Sequence, residues 1–525
     1  MAEQLADRRG VEPTAPANPW PALWAMVIGF FMILVDSTIV TIATPVIREK
    51  LHTDYNSVIW VTSAYLLAYA VPLLITGRLG DRFGPKKIYL IGLTLFTVSS
   101  LWCGLTDSIS MLITARVVQG LGASLMTPQT MAVITRTFPP TARGKAMALW
   151  GATAGVATLV GPILGGILVD GPGWEWIFFI NVPVGIIGFV LAMRLVPELE
   201  THSHQFDWLG VVLSAAAMFL IVFGIQEGPT YDWGTIKGVI SVPLLIIAGL
   251  VLFAVFIFWQ AKNKNEPLIP LSLFKDRNFS LSNLAIACVS FCITSFAFPF
   301  TLWAQTVRGW TPTQSALLMV PMALMTGFLA PVVGRLTDKV HPRILAATGF
   351  LASAVALIWL TFVVNTTSAV WEILLAMALF GIGNAFLWAP LAATATRNLP
   401  MSSAGAGSGV YNATRQVGAV LGSAAIAAVI SARLTANLGP MASAANSAQE
   451  APGTKLPPQV GVPFSTAMSQ SLWLPVIALL VGLFISMFFA SPAHQVVRTR
   501  GKHEAGPAEH EAGTPSAGPE PEPAA

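Results

Sequence analysis

The amino-acid sequence predicts an all-α, polytopic membrane protein, and three observations support this fold class. The 525-residue chain is 54% hydrophobic and only 10% charged, whereas soluble proteins carry roughly 25% charged residues. Its apolar residues fall into long runs, and its basic residues are concentrated in alternate connections between those runs. A soluble fold of this composition would expose large apolar patches to water, so we expect the helices to lie in lipid.

Fourteen apolar runs are long enough for transmembrane helices, since crossing a bilayer takes about 20 residues of α-helix. The predicted spans cover residues 20–46, 56–76, 87–105, 109–133, 145–169, 174–194, 208–226, 237–259, 279–303, 314–333, 344–363, 369–391, 405–431 and 469–490. This count and the helix lengths predict a bundle of fourteen transmembrane helices.

The distribution of basic residues predicts the orientation. If the N-terminus is cytoplasmic, 21 of the 29 Lys and Arg residues fall on the cytoplasmic side, six fall outside and two lie within spans. Positive charge is retained on the cytoplasmic side of membrane proteins. The pattern therefore predicts a multi-pass protein of the inner (cytoplasmic) membrane with both termini in the cytoplasm, and it explains the net charge of +4 without a nucleic-acid partner.

An internal repeat divides the chain. The segment GRLGDRFGPK (77–86) resembles GRLTDKVHPR (334–343), and the same offset of 257 residues relates GPILGG (161–166) to GAVLGS (418–423). Two matches at one offset predict two six-helix halves separated by an extra helix pair. The predicted parts are an N-terminal segment (1–19), a first bundle (20–196), the extra helices with linkers (197–278), a second bundle (279–492) and a tail (493–525). The tail and an outer loop (432–468) are expected to be unstructured, because they are rich in Pro, Ala, Ser, Gly or Glu.

The sequence shows no catalytic or cofactor-binding constellation. It contains no GxxxxGK[ST] phosphate loop, no HExxH motif and no clustered His and Cys residues. We therefore expect neither an enzyme nor a metal or organic cofactor. Any active transport would draw on an ion gradient, in which one charge moving across the membrane gains about 2.3 kcal/mol per 100 mV.

Two charged residues lie within predicted spans. Asp36 interrupts the apolar stretch FFMILVDSTIVTIATP, and span four contains Arg116 followed one turn later by Gln119 and Gly120. A charge at the centre of a bilayer costs about 2.5–3.5 kcal/mol on insertion scales. Asp36 and Arg116 are therefore expected to face the bundle interior as partners. A purely structural ion pair is the alternative.

Three further motifs combine glycine with polar or charged residues. In the connection GRLGDRFGPKK (77–87) the glycines are expected to permit a tight turn; its motif residues are Gly77, Arg78, Asp81, Arg82, Gly84 and Lys86. Span five presents small residues that let another helix approach closely, together with a proline; these are Gly151, Gly155, Gly161, Pro162, Gly165 and Gly166. Span thirteen is its repeat partner and carries Asn412, Arg415 and Gln416.

These motifs resemble those of the major facilitator superfamily, and in particular its fourteen-helix drug:proton antiporters of the QacA/EmrB type. The connection at 77–86 fits G-x-L-x-D-R-x-G-x-K, span four fits L-x-x-x-R-x-x-Q-G-x-G-A, and span five contains G-P-x-x-G-G. Span one is similar to L-D-x-T-I-V-N-V-A-L-P, with Thr41 and Thr44 in place of Asn and Leu. The resemblance implies a cytoplasmic gate at 77–86, a role for Arg116 in proton transfer, and antiport.

Residues and resemblance together predict a proton-driven exporter that works by alternating access. We expect it to function as a monomer, with the lipid bilayer, protons and small lipophilic compounds as its partners. Asp36 would exchange a proton for a substrate, and Arg116 would keep Asp36 ionised when the site is empty. Span ten lacks an acidic residue, which favours monocationic or neutral substrates. The alternatives are a dedicated exporter of one endogenous metabolite, antibiotic or siderophore, a proton-coupled nutrient importer, and a non-transporting receptor.

Overall fold

The structure is a computed structural model that describes residues 18–53, 55–139, 142–201, 207–228, 230–263, 267–439 and 456–490. Most of the predicted N-terminal segment, the whole predicted tail (493–525) and the middle of the predicted outer loop (440–455) lie outside these described residues.

The described residues form long α-helices and one small hairpin. The first half contains α1 (Trp20–Lys50), α2 (Tyr55–Ala70), α3 (Leu73–Phe83), α4 (Pro85–Gly104), α5 (Ile109–Thr137), α6 (Arg143–Asp170), α7 (Trp176–Phe179) and α8 (Asn181–Leu195). The extra pair is α9 (Trp208–Glu227) and α10 (Val242–Lys262), joined through the antiparallel strands β1 (Thr235–Lys237) and β2 (Ile240–Ser241). The second half contains α11 (Arg277–Thr306), α12 (Pro312–Leu317), α13 (Val320–Thr337), α14 (Pro342–Val363), α15 (Val370–Thr396), α16 (Ala404–Leu438), α17 (Pro458–Ser471) and α18 (Trp473–Ser486).

Within the described residues, twelve helical segments are long and apolar enough to cross a membrane, or thirteen when the bent pair α2–α3 is one span. Helix α6 has 28 residues and occupies the position of the predicted fifth span. It includes side chains that the structure does not describe, so the count of fourteen stays a prediction. Large apolar side chains on outer helix faces are exposed, as for Phe328, which suits a lipid environment.

Three local features differ from the predicted elements. The second predicted span is broken after Ala70, and its two parts meet at 46°, because Pro72 cannot donate the backbone hydrogen bond that a continuous helix needs. The hairpin at Thr235–Ser241 occupies the start of the predicted span at 237–259. The outer loop predicted at 432–468 is helical at both ends, because α16 continues to Leu438 and α17 begins at Pro458.

Helix packing repeats between the halves. In the first half α6 packs on α1, and in the second α16 packs on α11. Helix α5 packs on α4 as α15 packs on α14. Two pairs then join the halves reciprocally, α3 with α16 and α6 with α13. The largest apolar core contains residues from both halves, including Phe30, Trp150 and Trp388.

Candidate functional site

The charged residues of spans one and four form a buried ion pair. Asp36 on α1 and Arg116 on α5 are both completely buried, and Arg116 Nη1 donates to Asp36 Oδ2 at 2.6 Å. Gln119 Nε2 and Asn181 Nδ2 both donate to Asp36 Oδ1, at 2.9 and 3.1 Å. Three donors, one of them cationic, compensate the carboxylate for its lost hydration.

Helix geometry sets this arrangement. Arg116 and Gln119 are three residues apart on α5 and so share one face. Arg116 Nε donates to the carbonyl oxygen of Val61 at 3.0 Å, and its guanidinium lies 4.0 Å from the ring centroid of Tyr65. Gly120 lies where α5 approaches α2 so closely that a Cβ would overlap the carbonyl oxygen of Tyr65. Arg116 Nη2 has no hydrogen-bond partner among the described residues.

Asn181 is a member of this site that the sequence reasoning missed. It begins α8, and its Nδ2 also donates to Ser100 Oγ at 3.0 Å. Ser100 in turn donates to the carbonyl oxygen of Phe178 at 2.9 Å. The available signal was an amide side chain within an apolar run, which is uncommon in lipid unless the side chain has a polar partner.

A second site closes one end of the bundle, which we call the Gly84 end because the α3–α4 turn lies there. Asp81 is completely buried, and its Oδ1 and Oδ2 accept from the backbone nitrogens of Gly405 and Ala406 at 2.9 and 2.8 Å. Arg136 Nη2 lies 2.5 Å from Asp81 Oδ1. The first turn of α16 has unpaired N–H groups and a partial positive charge, so a carboxylate from α3 stabilises it and joins the two halves.

Among the described residues, the basic residues of the motif at 77–86 do not form an ion pair with Asp81. Arg78 Nη2 donates to the carbonyl oxygen of Pro267 at 3.2 Å. The guanidinium of Arg82 lies 5.2 Å from the ring centroid of Phe83, and Lys86 is half-buried at the start of α4. The ion-pair partner of Asp81 is Arg136, one of the 21 basic residues that the sequence places on the cytoplasmic side.

The repeat reproduces this contact in the opposite direction. Asp338, 257 residues after Asp81, ends α13, and its Oδ1 accepts from the backbone nitrogen of Gly144 in the first turn of α6 at 2.9 Å. Burial raises the pKa of Asp338, although the hydrogen bond from Gly144 acts in the opposite direction. Burial lowers the pKa of Arg397, whose Nη2 donates to the carbonyl oxygen of Thr337 at 3.0 Å. Each half therefore caps a helix of the other.

The prediction that all three glycines at 77–84 form a turn was wrong for two of them. Gly77 and Gly80 lie within α3, and only Gly84 occupies the turn, with φ at +93°. A Cβ on Gly77 would overlap the carbonyl oxygen of Gly405, and a Cβ on Gly80 would overlap the side chain of Gln129. These two glycines are required by close helix packing instead.

The glycines of α6 face helices of both halves. A Cβ at Gly151 would lie 2.7 Å from Trp388 Cβ, and one at Gly155 would lie 3.0 Å from Thr326 Cγ2. Gly161 packs against Val35 and Thr38 of α1. Gly165 is buried, and a Cβ at Gly166 would lie 3.4 Å from Thr313 Oγ1. The side chain of Pro162 lies outside the described residues.

The three polar residues of span thirteen are buried on α16. Arg415 Nη2 donates to the hydroxyl of Tyr69 on α2 at 3.0 Å, and Asn412 Nδ2 donates to the carbonyl oxygen of Ser408 at 2.9 Å. Gln416 follows Arg415 in the chain. None of the hydrogen bonds among the described residues joins these three residues to Asp36.

Comparisons with known proteins support the same family. The Major Facilitator Superfamily profile matches residues 26–423. An uncharacterized MFS-type transporter of Mycobacterium tuberculosis is 52% identical over 485 residues, covering 92% of this chain and 83% of its own. The tetracenomycin C resistance and export protein of Streptomyces glaucescens is 34% identical over 421 residues, covering 79% and 77%.

A solved structure shows the fold. The proton:xylose symporter XylE superposes with a TM-score of 0.58 at 15% identity, covering 91% of this chain and 97% of that one. The profile and the relatives confirm the predicted family, and the helical architecture confirms the predicted fold class apart from the count of fourteen helices. The chain belongs to the Major Facilitator Superfamily and is a polytopic membrane transporter whose relatives include drug-export proteins.

Proposed function

We propose that this transporter exports small lipophilic compounds across the cytoplasmic membrane in exchange for protons, by alternating access. The observation that carries the proposal is the completely buried Asp36–Arg116 pair. An ionisable pair at membrane depth is costly, and such residues in transporters mark ion and proton pathways. The direction of transport is supported by relatives named for resistance and export.

Protonation of Asp36 would change the balance of the buried pair. A neutral carboxyl group no longer compensates Arg116, and a buried ion pair that loses one partner is destabilised by about 3–5 kcal/mol. Protonation therefore favours rearrangement of α1 relative to α5, and release of the proton favours the geometry described here. Trp20 packs against Phe138, two residues after Arg136, so the start of α1 lies at the Gly84 end. Asp36 lies 16 residues further, about 24 Å along α1, which suits proton entry from the opposite side.

The two reciprocal caps would form the gate on the cytoplasmic side. Asp81 holds the first turn of α16, and Asp338 holds the first turn of α6. Both contacts join the halves at the Gly84 end, where the distribution of basic residues indicates the cytoplasm. Opening towards the cytoplasm requires both contacts to break, as expected when two halves rock about a central site.

The test is gradient-driven transport in proteoliposomes. Wild type, Asp36→Asn and the control Asp107→Asn would be reconstituted with a lipophilic fluorescent dye under an imposed pH gradient. Asp107 is exposed between α4 and α5, so its substitution leaves the buried pair intact. We expect Asp36→Asn to lower the gradient-dependent rate at least about tenfold, which corresponds to about 1.4 kcal/mol added to the barrier, and Asp107→Asn to match wild type.

Gradient-dependent export that survives Asp36→Asn would contradict the proton role. Reversing the gradient tests direction, because an antiporter then moves the dye the opposite way. An antiporter accumulates the dye in the acidic compartment. Accumulation in the alkaline compartment, towards which the protons flow, would instead support the nutrient-importer alternative.

A further inference from the structure

Arg415 is a buried cation that differs from Arg116 in its lack of a described carboxylate partner. It is only 7% exposed, and it lies 11 residues after Ala404, about 16 Å along α16. The ion pairs among the described residues are Arg116–Asp36 and Arg136–Asp81. Neither includes Arg415, so its charge has no carboxylate partner in the part of the chain that the structure describes.

The contacts of Arg415 place it at the junction of the halves. Its Nη2 donates to the hydroxyl of Tyr69, which forms a second hydrogen bond with Thr127 Oγ1 at 3.2 Å. Tyr69 belongs to α2 and Thr127 to α5, whereas Arg415 belongs to the second half. Repeat-built transporters bind their substrates near the bilayer midplane between the halves. The roughly 16 Å that separate Arg415 from the start of α16 are close to half of the roughly 30 Å hydrocarbon thickness.

Buried polar atoms on this stretch of α16 have no partner in the part of the chain that the structure describes. Arg415 Nε and Asn412 Oδ1, three residues apart on α16, are without hydrogen bonds to any described residue. Asn412 Nδ2 also lies 3.9 Å from Met131 Sδ. Unsatisfied buried polar atoms are rare and costly, so this group of donors and acceptors is suited to a ligand.

The fold itself does not require an arginine at this position. The repeat offset of 257 residues places Thr158 of α6 opposite Arg415 of α16. Three residues later, Gly161 packs against the backbone of Val35, as Gly418 packs against the backbone of Ala287. The two helices therefore make equivalent contacts in their own halves, and only one of them carries the buried cation.

We propose that Arg415 binds an anionic group of the transported compound, a carboxylate or an ionised phenol. This inference rests on the proposed export function and specifies the class of substrate. The planar guanidinium presents its Nε–H and a neighbouring Nη–H as a fork that matches two oxygens. Tyr69 holds the fork in place through its hydroxyl.

The charges at the centre favour anions over the cations that the sequence predicted. Asp36 forms an ion pair with Arg116. Asp81 forms an ion pair with Arg136 and accepts hydrogen bonds from the first turn of α16. Glu227 is a further buried carboxylate, but it ends α9 of the extra pair. A substrate cation beside Arg415 would meet a like charge, which costs free energy when both are desolvated.

The experiment compares two xanthene dyes of opposite charge, fluorescein and rhodamine 6G. Binding to protein in lipid nanodiscs is followed by fluorescence polarisation for wild type, Arg415→Gln, Arg415→Lys and the control Arg308→Gln. Arg308 follows α11 and donates to the carbonyl oxygen of Ser368. We expect Arg415→Gln to raise the Kd of fluorescein at least about tenfold, Arg415→Lys to raise it less, and neither to weaken rhodamine 6G. Arg308→Gln should match wild type.

Equal weakening of both dyes by Arg415→Gln would overturn the inference, as would an unchanged Kd for fluorescein or tighter wild-type binding of rhodamine 6G than of fluorescein. Tyr69→Phe provides a milder change at the same site, should Arg415→Gln fail to fold, and is expected to weaken fluorescein alone. The proposed function fails separately, because Asp36→Asn proteoliposomes test proton coupling with either dye. If Arg415 selects fluorescein over rhodamine 6G but transport is not coupled to protons, this inference stands without the proposed function. If transport is coupled to protons but Arg415 does not select between the dyes, only the proposed export function stands.

Discussion

Asp36 on α1 receives hydrogen bonds from two other helices, and these bonds connect the three helices around its carboxylate. Arg116 and Gln119 reach it from α5, and Asn181 reaches it from the start of α8. Any movement of α8 relative to α1 therefore changes the number of donors around the carboxylate. Asn181 is a positioning residue for Asp36 and not a substitute for Arg116, because an amide supplies no charge.

Asn181→Ala is expected to lower gradient-driven export by roughly tenfold or more. A hydrogen bond to a charged group contributes about 1.5–3 kcal/mol, and alanine removes this one from Asp36. The measurement is the initial export rate in proteoliposomes.

Ser100→Ala is the matched control, since Ser100 bonds Asn181 and the backbone but makes no hydrogen bond to Asp36. It should lower the rate much less. Similar losses in both variants would show that Asn181 acts through packing.

The sequence allowed one part of this site to be predicted and not another. A lone carboxylate and a lone guanidinium in separate apolar runs each need compensation, so Asp36 and Arg116 could be proposed as partners. Asn181 is uncharged, so its burial costs less free energy and its need for a partner is a weaker signal. Its contact with Asp36 depends on how α8 packs against α1, over a separation of 145 residues, which no local pattern encodes.

Asp207 joins the two helices of the extra pair, α9 and α10, through hydrogen bonds to both. Its carboxylate caps α9 through the backbone nitrogen of Gly210 at 2.9 Å. It also accepts from Trp259 Nε1 at 2.8 Å and Gln260 Nε2 at 2.7 Å near the end of α10, and from the backbone nitrogen of Leu268. Burial acts to raise the pKa of Asp207, but these hydrogen bonds outweigh burial and hold it below the ordinary value of 3.8.

Asp207→Ala is expected to lower the free energy of unfolding by about 1–2 kcal/mol at neutral pH, the cost of losing a helix cap. Because the pKa is lower in the folded state, the charge-dependent part of this stabilisation is present above pH 3.8. It is lost as the pH falls through the lowered folded value.

The pH dependence of this stabilisation can be measured by unfolding the protein in detergent at pH values from about 7 to about 3. The difference between wild type and Asp207→Ala should shrink only at the acidic end, and Asp207→Asn, which keeps a capping oxygen, should cost less than alanine. Asp107→Ala, at an exposed position, is the control. A difference that stays constant with pH would contradict the role of the charge.

The boundaries of helices were predicted correctly where hydrophobicity alone determines them. They were missed where backbone hydrogen bonding determines them. The long apolar runs correspond to helices, but the break at Pro72 and the hairpin before α10 depend on hydrogen bonds that a hydropathy pattern does not contain. Gly77 was assigned to a turn because glycine permits turns as well as close packing. Only the position of α16 distinguishes the two uses.

The whole molecule is joined at the Gly84 end by two reciprocal caps of unequal strength. Asp81 accepts two backbone hydrogen bonds from α16 and pairs with Arg136. Asp338 accepts one from α6 through Oδ1, and its Oδ2 has no partner among the described residues. The α3–α16 side should therefore contribute more to closure than the α13–α6 side.

Asp81→Asn is expected to open the Gly84 end more than Asp338→Asn does. Loss of a charge at a helix N-terminus removes up to about 2 kcal/mol in a buried setting, which corresponds to a change of up to about 30-fold in the open fraction. Asp81→Asn additionally loses the ion pair with Arg136.

The reporter is Ser408→Cys in a background whose three native cysteines are alanine. Ser408 is completely buried on α16, so its rate of reaction with a water-soluble thiol reagent reports opening. We expect the thiol to react fastest in Asp81→Asn, more slowly in Asp338→Asn and most slowly in the background with neither substitution. Equal rates in all three would show that these carboxylates do not hold the end closed.

The contact of Gly77 with Gly405 and Gly409 has a consequence for the temperature dependence of this closure. Here α3 and α16 meet through backbone atoms, and glycine has no side-chain rotamers to lose when the surfaces meet. Long side chains at the same place would each surrender conformational entropy on closing and regain it on opening. Closure at this point instead resembles the docking of two preformed surfaces, so warming should favour the open state less than it would at a contact built from flexible side chains.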